Sequence, residues 1–166
     1  MPIKFVLVDT NIWHYIYHQP KEEQFVELQE KSRQFMKNIL TDASIKIALS
    51  SYQCAEIIEL LRRAGQSKQI IKELIEDFKK EKFTIANLVF NNFLIASEKS
   101  LASNIHIYDY LVALPLKGIV TEIYSADDHF QHPDFKEIAP VTNPLHPWIL
   151  REGRIPVRPV RNSVTR

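Results

Sequence analysis

The 166-residue chain is poor in cysteine and glycine and has no marked excess of either charge. Its only cysteine, Cys54, excludes an internal disulfide and a multi-cysteine zinc site, and it is compatible with a reducing cytoplasm. Three glycines are too few for a glycine-rich phosphate loop. No stretch approaches the roughly 20 apolar residues of a membrane span. The first residues also lack a charged n-region and a cleavage site, so we expect a cytoplasmic protein with no membrane partner.

The remaining composition, 45% hydrophobic and 25% charged, is that of an ordinary globular domain with one core. The net charge of +1 is unevenly distributed along the chain. From Pro144 onward, Glu152 is outnumbered by five arginines: Arg151, Arg154, Arg158, Arg161 and Arg166. This segment therefore carries +4 and the remaining body −3. Such a body is not typical of a protein that binds nucleic acid by charge alone.

Apolar strand-like segments alternate with helix-like segments along the chain. Strands are predicted at residues 5–8, 45–49, 83–86, 119–124 and 138–142. Helices are predicted at residues 22–40, 52–64, 67–82 and 87–103, and around Asp109. This alternation predicts an α/β fold with a parallel sheet between helices.

The C-terminal segment has a different character from the body. Residues 140–166 hold five of the nine prolines: Pro140, Pro144, Pro147, Pro156 and Pro159. Each proline lacks a backbone donor and biases its predecessor toward extended structure. We therefore expect one domain over residues 1–143 and an extended, basic, proline-rich arm over residues 144–166.

Acidic residues follow several of the predicted strands. The apolar run at residues 5–8 ends at Asp9, and in open α/β sheets ligands bind at the carboxyl ends of the strands. Four acids are expected at this edge: Asp9, Glu56, Asp109 and Asp127. At about 100° per residue, Glu56 lies at the rim of the apolar face of its helix, whereas Glu59 faces water.

Four carboxylates in one place would repel each other strongly without a counter-charge. A hard divalent cation supplies that charge, and oxygen ligands favour Mg²⁺ or Mn²⁺. Such ions bind substrate phosphates and can activate a water for phosphodiester hydrolysis. The acids therefore predict a metal-dependent phosphodiester hydrolase.

Four short motifs, in this order, resemble those of the PIN-domain ribonucleases, a family that includes the VapC-like toxins. They are Val8-Asp9-Thr10-Asn11, Ser51 with Glu56-Ile57, Tyr108-Asp109, and Ser125-Ala126-Asp127 with Phe130. The resemblance covers about residues 3 to 144. It implies a five-stranded parallel sheet, a homodimer, and Mg²⁺- or Mn²⁺-dependent cleavage of single-stranded RNA. In the toxin branch it also implies control by an antitoxin protein.

The resemblance also assigns roles to residues of this chain. It gives the catalytic and metal-binding roles to Asp9, Glu56, Asp109 and Asp127. Thr10 or Asn11 would support Asp9 and the metal or phosphate, and Ser125 occupies a position often held by threonine. Asp128 could substitute for its neighbour, but the spacing to Phe130 favours Asp127.

Two features depart from the family pattern. Pro115 should kink or end the helix of Asp109, since an interior proline costs about 3 kcal/mol. The proline- and arginine-rich arm lies outside the common pattern. The histidines show no metal-ligand spacing, and His129 and His132 are interpreted as loop residues beside Pro133.

A second hypothesis is a catalytically silent PIN-fold module that binds RNA or protein. Two other α/β classes fit less well. A haloacid dehalogenase-like phosphatase needs a second aspartate where Asn11 stands. A phospho-receiver domain needs paired acids near the first strand and a late lysine after a strand.

Overall fold

The computed structural model describes residues 2–150. Its sheet contains five strands: β1 (Lys4–Val8), β2 (Ile45–Ser50), β3 (Phe83–Ala86), β4 (Glu122–Tyr124) and β5 (Val141–Thr142). Every neighbouring pair is parallel, in the order β3-β2-β1-β4-β5. This topology confirms the predicted α/β class and its five-stranded parallel sheet.

Seven α-helices accompany the sheet within the described residues: α1 (Thr10–Tyr17), α2 (Glu23–Thr41), α3 (Ser51–Arg63), α4 (Lys68–Asp77), α5 (Phe90–Ser103), α6 (Ile107–Ala113) and α7 (Pro133–Lys136). Serine side chains cap two of them: Ser50 caps α3 and Ser67 caps α4. Pro115 lies in a short 3-10 turn just after α6, so that helix ends as its proline predicts. Between residues 2 and 150, no helix combines the length and apolarity needed to cross a membrane.

The sheet separates two hydrophobic cores, because successive side chains of a strand point to opposite faces. Val6 and Val8 join a core with α1 to α4, whereas Leu7 joins a core with α5 to α7. These three side chains are almost completely buried. The apolar run at the start of the chain is therefore the central strand, covered on both sides as in other parallel sheets.

The strand order reverses at β1. The chain runs outward through β2 and β3 on one side of β1, and through β4 and β5 on the other. The carboxyl ends of β1 and β4 therefore form a topological switch point, the place where open α/β sheets bind ligands. Asp9 follows β1 and Ser125 follows β4 at this point.

Several elements are shorter than their patterns predict. Helix α4 ends at Asp77 rather than residue 82, because the N–H groups of Lys79 and Lys80 donate to carbonyls three residues back and close tight turns. Strand β5 begins only at Val141, since Pro140 has no N–H for the ladder. The predicted strand 119–124 is reduced to β4, and the predicted helix 87–103 begins at Phe90.

The first residues of the predicted C-terminal arm pack on the domain. Leu145 and Ile149 are 1% and 4% exposed and belong to the core that contains Val6. Ile149 donates its N–H to the Ala126 carbonyl at 2.7 Å and accepts from the Asp128 N–H at 3.1 Å. The core thus extends past residue 143, and the rest of the predicted arm, residues 151–166, lies outside the described residues.

Candidate active site

Asp9 is the best-anchored acid of the site. It is 4% exposed and caps α1, where its Oδ1 accepts from the Thr10 N–H at 2.8 Å. Its Oδ2 accepts from the Ser125 hydroxyl at 2.8 Å. These bonds use both carboxylate oxygens and fix the side chain at the end of the central strand.

The backbone beneath Asp9 is held by two side chains from different helices. The Val8 carbonyl accepts from Gln53 Nε2 at 2.7 Å and from Trp13 Nε1 at 3.2 Å. Gln53 is fully buried. This support was not predicted from the sequence. Its signal is a polar residue at position 53 in the apolar i, i+4 row of α3 that continues with Ile57 and Leu61.

Ser125 connects Asp9 to Asp127. Its buried hydroxyl donates to Asp9 and accepts from the Asp127 N–H at 3.1 Å. Asp127 Oδ1 in turn accepts from the His129 N–H at 2.9 Å, which caps the short turn after β4. One serine at the end of β4 thus sets the distance between acids that are far apart in sequence.

Glu56 reaches the site from α3. Its Oε2 accepts from the Thr10 hydroxyl at 2.6 Å, so Thr10 bridges Asp9 and Glu56. Glu59, three residues further along α3, instead pairs with Arg62 and Arg63 on the surface. The two glutamates therefore face the directions that the helical geometry predicts.

Asp109 and His129 contact each other. His129 Nδ1 lies 2.8 Å from Asp109 Oδ2, and the ring is 9% exposed. One ligand atom each from Asp109, Asp127 and His129 lie within 4.8 Å of one another, a spacing that could hold a metal ion. Interpreting His129 as an ordinary loop residue was therefore incomplete, because its neighbour Asp109 is 20 residues away and no sequence spacing reveals the contact.

The acids interact electrostatically. Burial, and then repulsion by Asp109 and Asp127, raises the pKa of Asp9 well above its ordinary value. Burial likewise raises the pKa of Asp127 to about 6. Burial also raises the pKa of Glu56, although its hydrogen bond from Thr10 opposes this effect. The carboxylates of this cluster are thus largely buried. Among the described residues, no lysine or arginine is bonded to them to balance their negative charge.

Two of the predicted supporting residues contain buried oxygens without a hydrogen-bond partner among the described residues. They are Asn11 Oδ1 and Asp128 Oδ1. Such orphaned acceptors are rare, because an unpaired buried polar atom costs free energy. Asn11 lies two residues after Asp9, and Asp128 directly follows Asp127. The carboxylates of the site are hard oxygen donors, which are the ligands that Mg²⁺ and Mn²⁺ prefer.

Comparisons with solved structures identify the fold. VapC20 from Mycobacterium tuberculosis, described as a sarcin-ricin loop cleaving toxin, matches with a TM-score of 0.60 and 14% identity over 81% of this chain and 99% of its own. A chain of VapBC2 from Rickettsia felis, solved with a DNA fragment from its promoter, matches with a TM-score of 0.50 and 15% identity, over 84% of this chain and 98% of its own. No protein-family model and no curated protein matches the sequence. The chain therefore has the PIN-domain fold of VapC toxins, and the likeness at these identities extends to the fold alone.

Proposed function

We propose that this protein is a Mg²⁺- or Mn²⁺-dependent endoribonuclease that hydrolyses single-stranded RNA. The proposal rests on the hydrogen bonds that link Asp9 to Glu56 through Thr10 and to Asp127 through Ser125, and on the ligand spacing of Asp109, Asp127 and His129. After burial, the negative charges of the other three acids also raise the pKa of Asp9, so all three repel its carboxylate. A PIN-domain fold supports this use of the site, and the described substrate of VapC20 supports RNA as the target.

The four acids would hold the metal. A divalent ion there would neutralise the cluster, polarise a phosphodiester oxygen and lower the pKa of a water. Ser125 and Thr10 keep Asp9 and Glu56 in place by donating hydrogen bonds to their carboxylates. Asn11 and Asp128 would add oxygen donors at the edge of the site.

His129 would position Asp109. Its ring nitrogen contacts one Asp109 oxygen, and this hydrogen bond raises the pKa of His129. A carboxylate held by one oxygen leaves its second oxygen for a metal ion. Support of this kind around metal-binding groups fixes the orientation of the ligand.

The proposed biology is that of a VapC-like toxin. It would act in the cytoplasm as a homodimer and be controlled by an antitoxin protein. The matched VapC20 and VapBC2 structures support the toxin assignment through the fold. A neighbouring gene for a small protein that binds this chain and suppresses its RNA cleavage would support the antitoxin.

The test is cleavage of single-stranded RNA by purified protein in Mn²⁺. The parent should cleave, chelation should stop it, and the Asp9→Asn variant should lose activity because its carboxylate contributes charge to the cluster. Glu76→Gln provides the matched control, since Glu76 is exposed on α4 and pairs only with Lys79 in the described contacts. That variant should keep parental activity.

Calorimetric titration with Mn²⁺ separates the enzyme from the silent module. Uptake of Mn²⁺ that disappears in Asp9→Asn supports the enzyme. A parent that neither takes up Mn²⁺ nor cleaves RNA would favour the silent PIN-fold binding module. Equal cleavage by the parent and Asp9→Asn would show that the activity belongs to something other than this site.

A further inference from the structure

A cleft of about 720 Å³ lies directly beside the acidic cluster. We call it the aromatic cleft and define it by His14, His18, Tyr52, Glu56, Arg63 and Tyr108. Glu56 belongs to both the cleft and the acidic cluster, so the cleft adjoins the cluster at this residue. Tyr108 also precedes Asp109 in the chain. The volume of the aromatic cleft is in the range of sites that bind small organic groups.

Paired rings line the aromatic cleft. The rings of Tyr52 and Tyr108 are nearly parallel, with an angle of 5° and centroids 6.0 Å apart. The rings of His14 and His18 stack with centroids 4.8 Å apart and an angle of 24°. Tyr108 is 56% exposed, so a large part of its surface is free to receive another flat group.

The charges of the cleft argue against a phosphate ligand. Burial raises the pKa of the Tyr52 phenol and lowers the pKa of His14, so both rings are neutral at pH 7. Among residues 2–150, the one arginine that lines the cleft is Arg63, and it is already paired with Glu59 at 3.0 Å. Glu56 also lines the cleft, and its carboxylate would repel an anion.

We infer that the aromatic cleft binds a nucleobase of single-stranded RNA, next to the phosphate that lies over the acidic cluster. This inference rests on the proposed function and adds a base-binding subsite to it. Nucleobases stack on aromatic side chains, and such stacking tolerates different bases because every base has a flat π-face. The ring nitrogens, phenol oxygens and Glu59 could then contact the edge of the base.

The arrangement also gives the site a way to require single-stranded RNA. A base can enter the cleft only if it is unpaired and turned away from its neighbours, as in loops and single strands. Within residues 2–150, no lysine or arginine is bonded to the acids, so the acids offer no positive charge to attract the RNA backbone. Base stacking would therefore supply affinity that the negatively charged site lacks.

The test measures binding of short fluorescein-labelled oligoadenylate and oligouridylate by anisotropy, in the Asp9→Asn background so that the RNA stays intact. Tyr108→Leu keeps apolar bulk but removes the exposed ring, and it should weaken binding about tenfold. Tyr108→Phe keeps the ring and should bind within about twofold of its parent. Phe90→Leu, which removes an exposed ring outside the cleft, should leave binding unchanged.

RNA of the same length with abasic residues provides an independent arm. It should bind about as weakly to the parent as intact RNA binds to Tyr108→Leu. Equal binding of intact and abasic RNA, or parental affinity in Tyr108→Leu, would overturn the inference. Absence of RNA binding by every form would also overturn it and would leave the cleft to a protein partner.

Steady-state cleavage separates this inference from the proposed function. In the otherwise unaltered protein, Tyr108→Leu should raise KM about tenfold with little change in kcat, as expected when ground-state binding is lost. If the parent cleaves RNA and Tyr108→Leu has an unchanged KM, the base-binding subsite is contradicted but the proposed nuclease function is not. If the parent binds RNA through Tyr108 but does not cleave it, the proposed nuclease function is contradicted but the base-binding subsite is not.

Discussion

At the scale of single residues, the side chain of Ser125 supports two acids of the site at once. Its hydroxyl donates to Asp9 and accepts from the backbone of Asp127. A hydrogen bond to a charged group contributes about 1.5–3 kcal/mol, and each 1.4 kcal/mol is tenfold in affinity. The serine is also fully buried, so no water can readily replace it.

We therefore expect Ser125→Ala to weaken Mn²⁺ binding by about tenfold or more. Ser125→Thr should retain most of the affinity, because it keeps the hydroxyl. Calorimetric titration checks both variants, and circular dichroism confirms that they are folded. Parental Mn²⁺ affinity in Ser125→Ala would contradict the role assigned to this hydroxyl.

Asp127 gives the metal-free protein an unusual pH dependence. Its pKa is raised to about 6, above the ordinary value of 3.8, mainly by burial. The native state therefore holds a proton that the unfolded state releases between these values. Stability from this group is present at low pH and is lost as pH rises through about 6.

The expected result is that metal-free protein has a higher Tm at pH 5 than at pH 7.5. Asp127→Asn should reduce this difference, since it removes the titrating group and its amide carbonyl can still accept from the His129 N–H. Thermal unfolding in EDTA at the two pH values measures the effect. The same pH dependence in parent and variant would show that Asp127 does not titrate in this range.

At the scale of elements, helix α3 carries Glu56, and its N-terminus is stabilised by the Ser50 cap. Ser50 Oγ accepts from the Gln53 N–H at 3.1 Å, and Ser67 Oγ accepts from the Ile70 N–H at 3.2 Å at the start of α4. Both caps are serine hydroxyls, but Ser50 is buried and Ser67 is exposed, and only Ser50 caps a helix with a site residue. Substitution of each serine compares their effects.

Ser50→Ala and Ser67→Ala should each lower the free energy of unfolding by about 1 kcal/mol, the usual cost of a lost N-cap. Only Ser50→Ala should also weaken Mn²⁺ binding, because it loosens the first turns of α3. Urea unfolding and calorimetric titration measure the two effects. Equal Mn²⁺ affinity in the two variants would show that the Ser50 cap does not affect metal binding at the site.

The elements were largely predictable because their signals are local. The apolar run of β1, the serine caps of α3 and α4, and Pro115 after α6 each act within a few residues. Their ends were less predictable. The length of β4 depends on its pairing with β1 and β5, which lie far away in sequence.

At the scale of the whole molecule, α5 presents an apolar surface. Phe90 and Leu101 are 72% and 87% exposed, and the rings of Phe90 and Phe93 stack on each other. Neighbouring exposed apolar side chains of this kind mark interaction surfaces. This surface supports the homodimer that the family resemblance implies.

We expect a dimer in size-exclusion chromatography with light scattering. Phe90→Asp should convert it to a monomer, because the new carboxylate would be buried without a partner at the interface. Leu40→Asp, at an exposed apolar residue on α2, serves as the control and should leave the dimer intact. A monomeric parent would contradict the expectation.

Local patterns in the chain were enough to predict the order of strands and helices, the buried central strand and the acids that follow it. These properties come from backbone preferences and apolar patterns that operate over short stretches of chain. Which side chains contact each other depends instead on how the folded chain brings distant segments together. Asp9 and Ser125 are 116 residues apart, and Asp109 and His129 are 20 apart, yet each pair is in hydrogen-bond contact. Such contacts arise because parallel strands bring their carboxyl ends to one edge, and no local signal in the chain encodes which side chains will touch there.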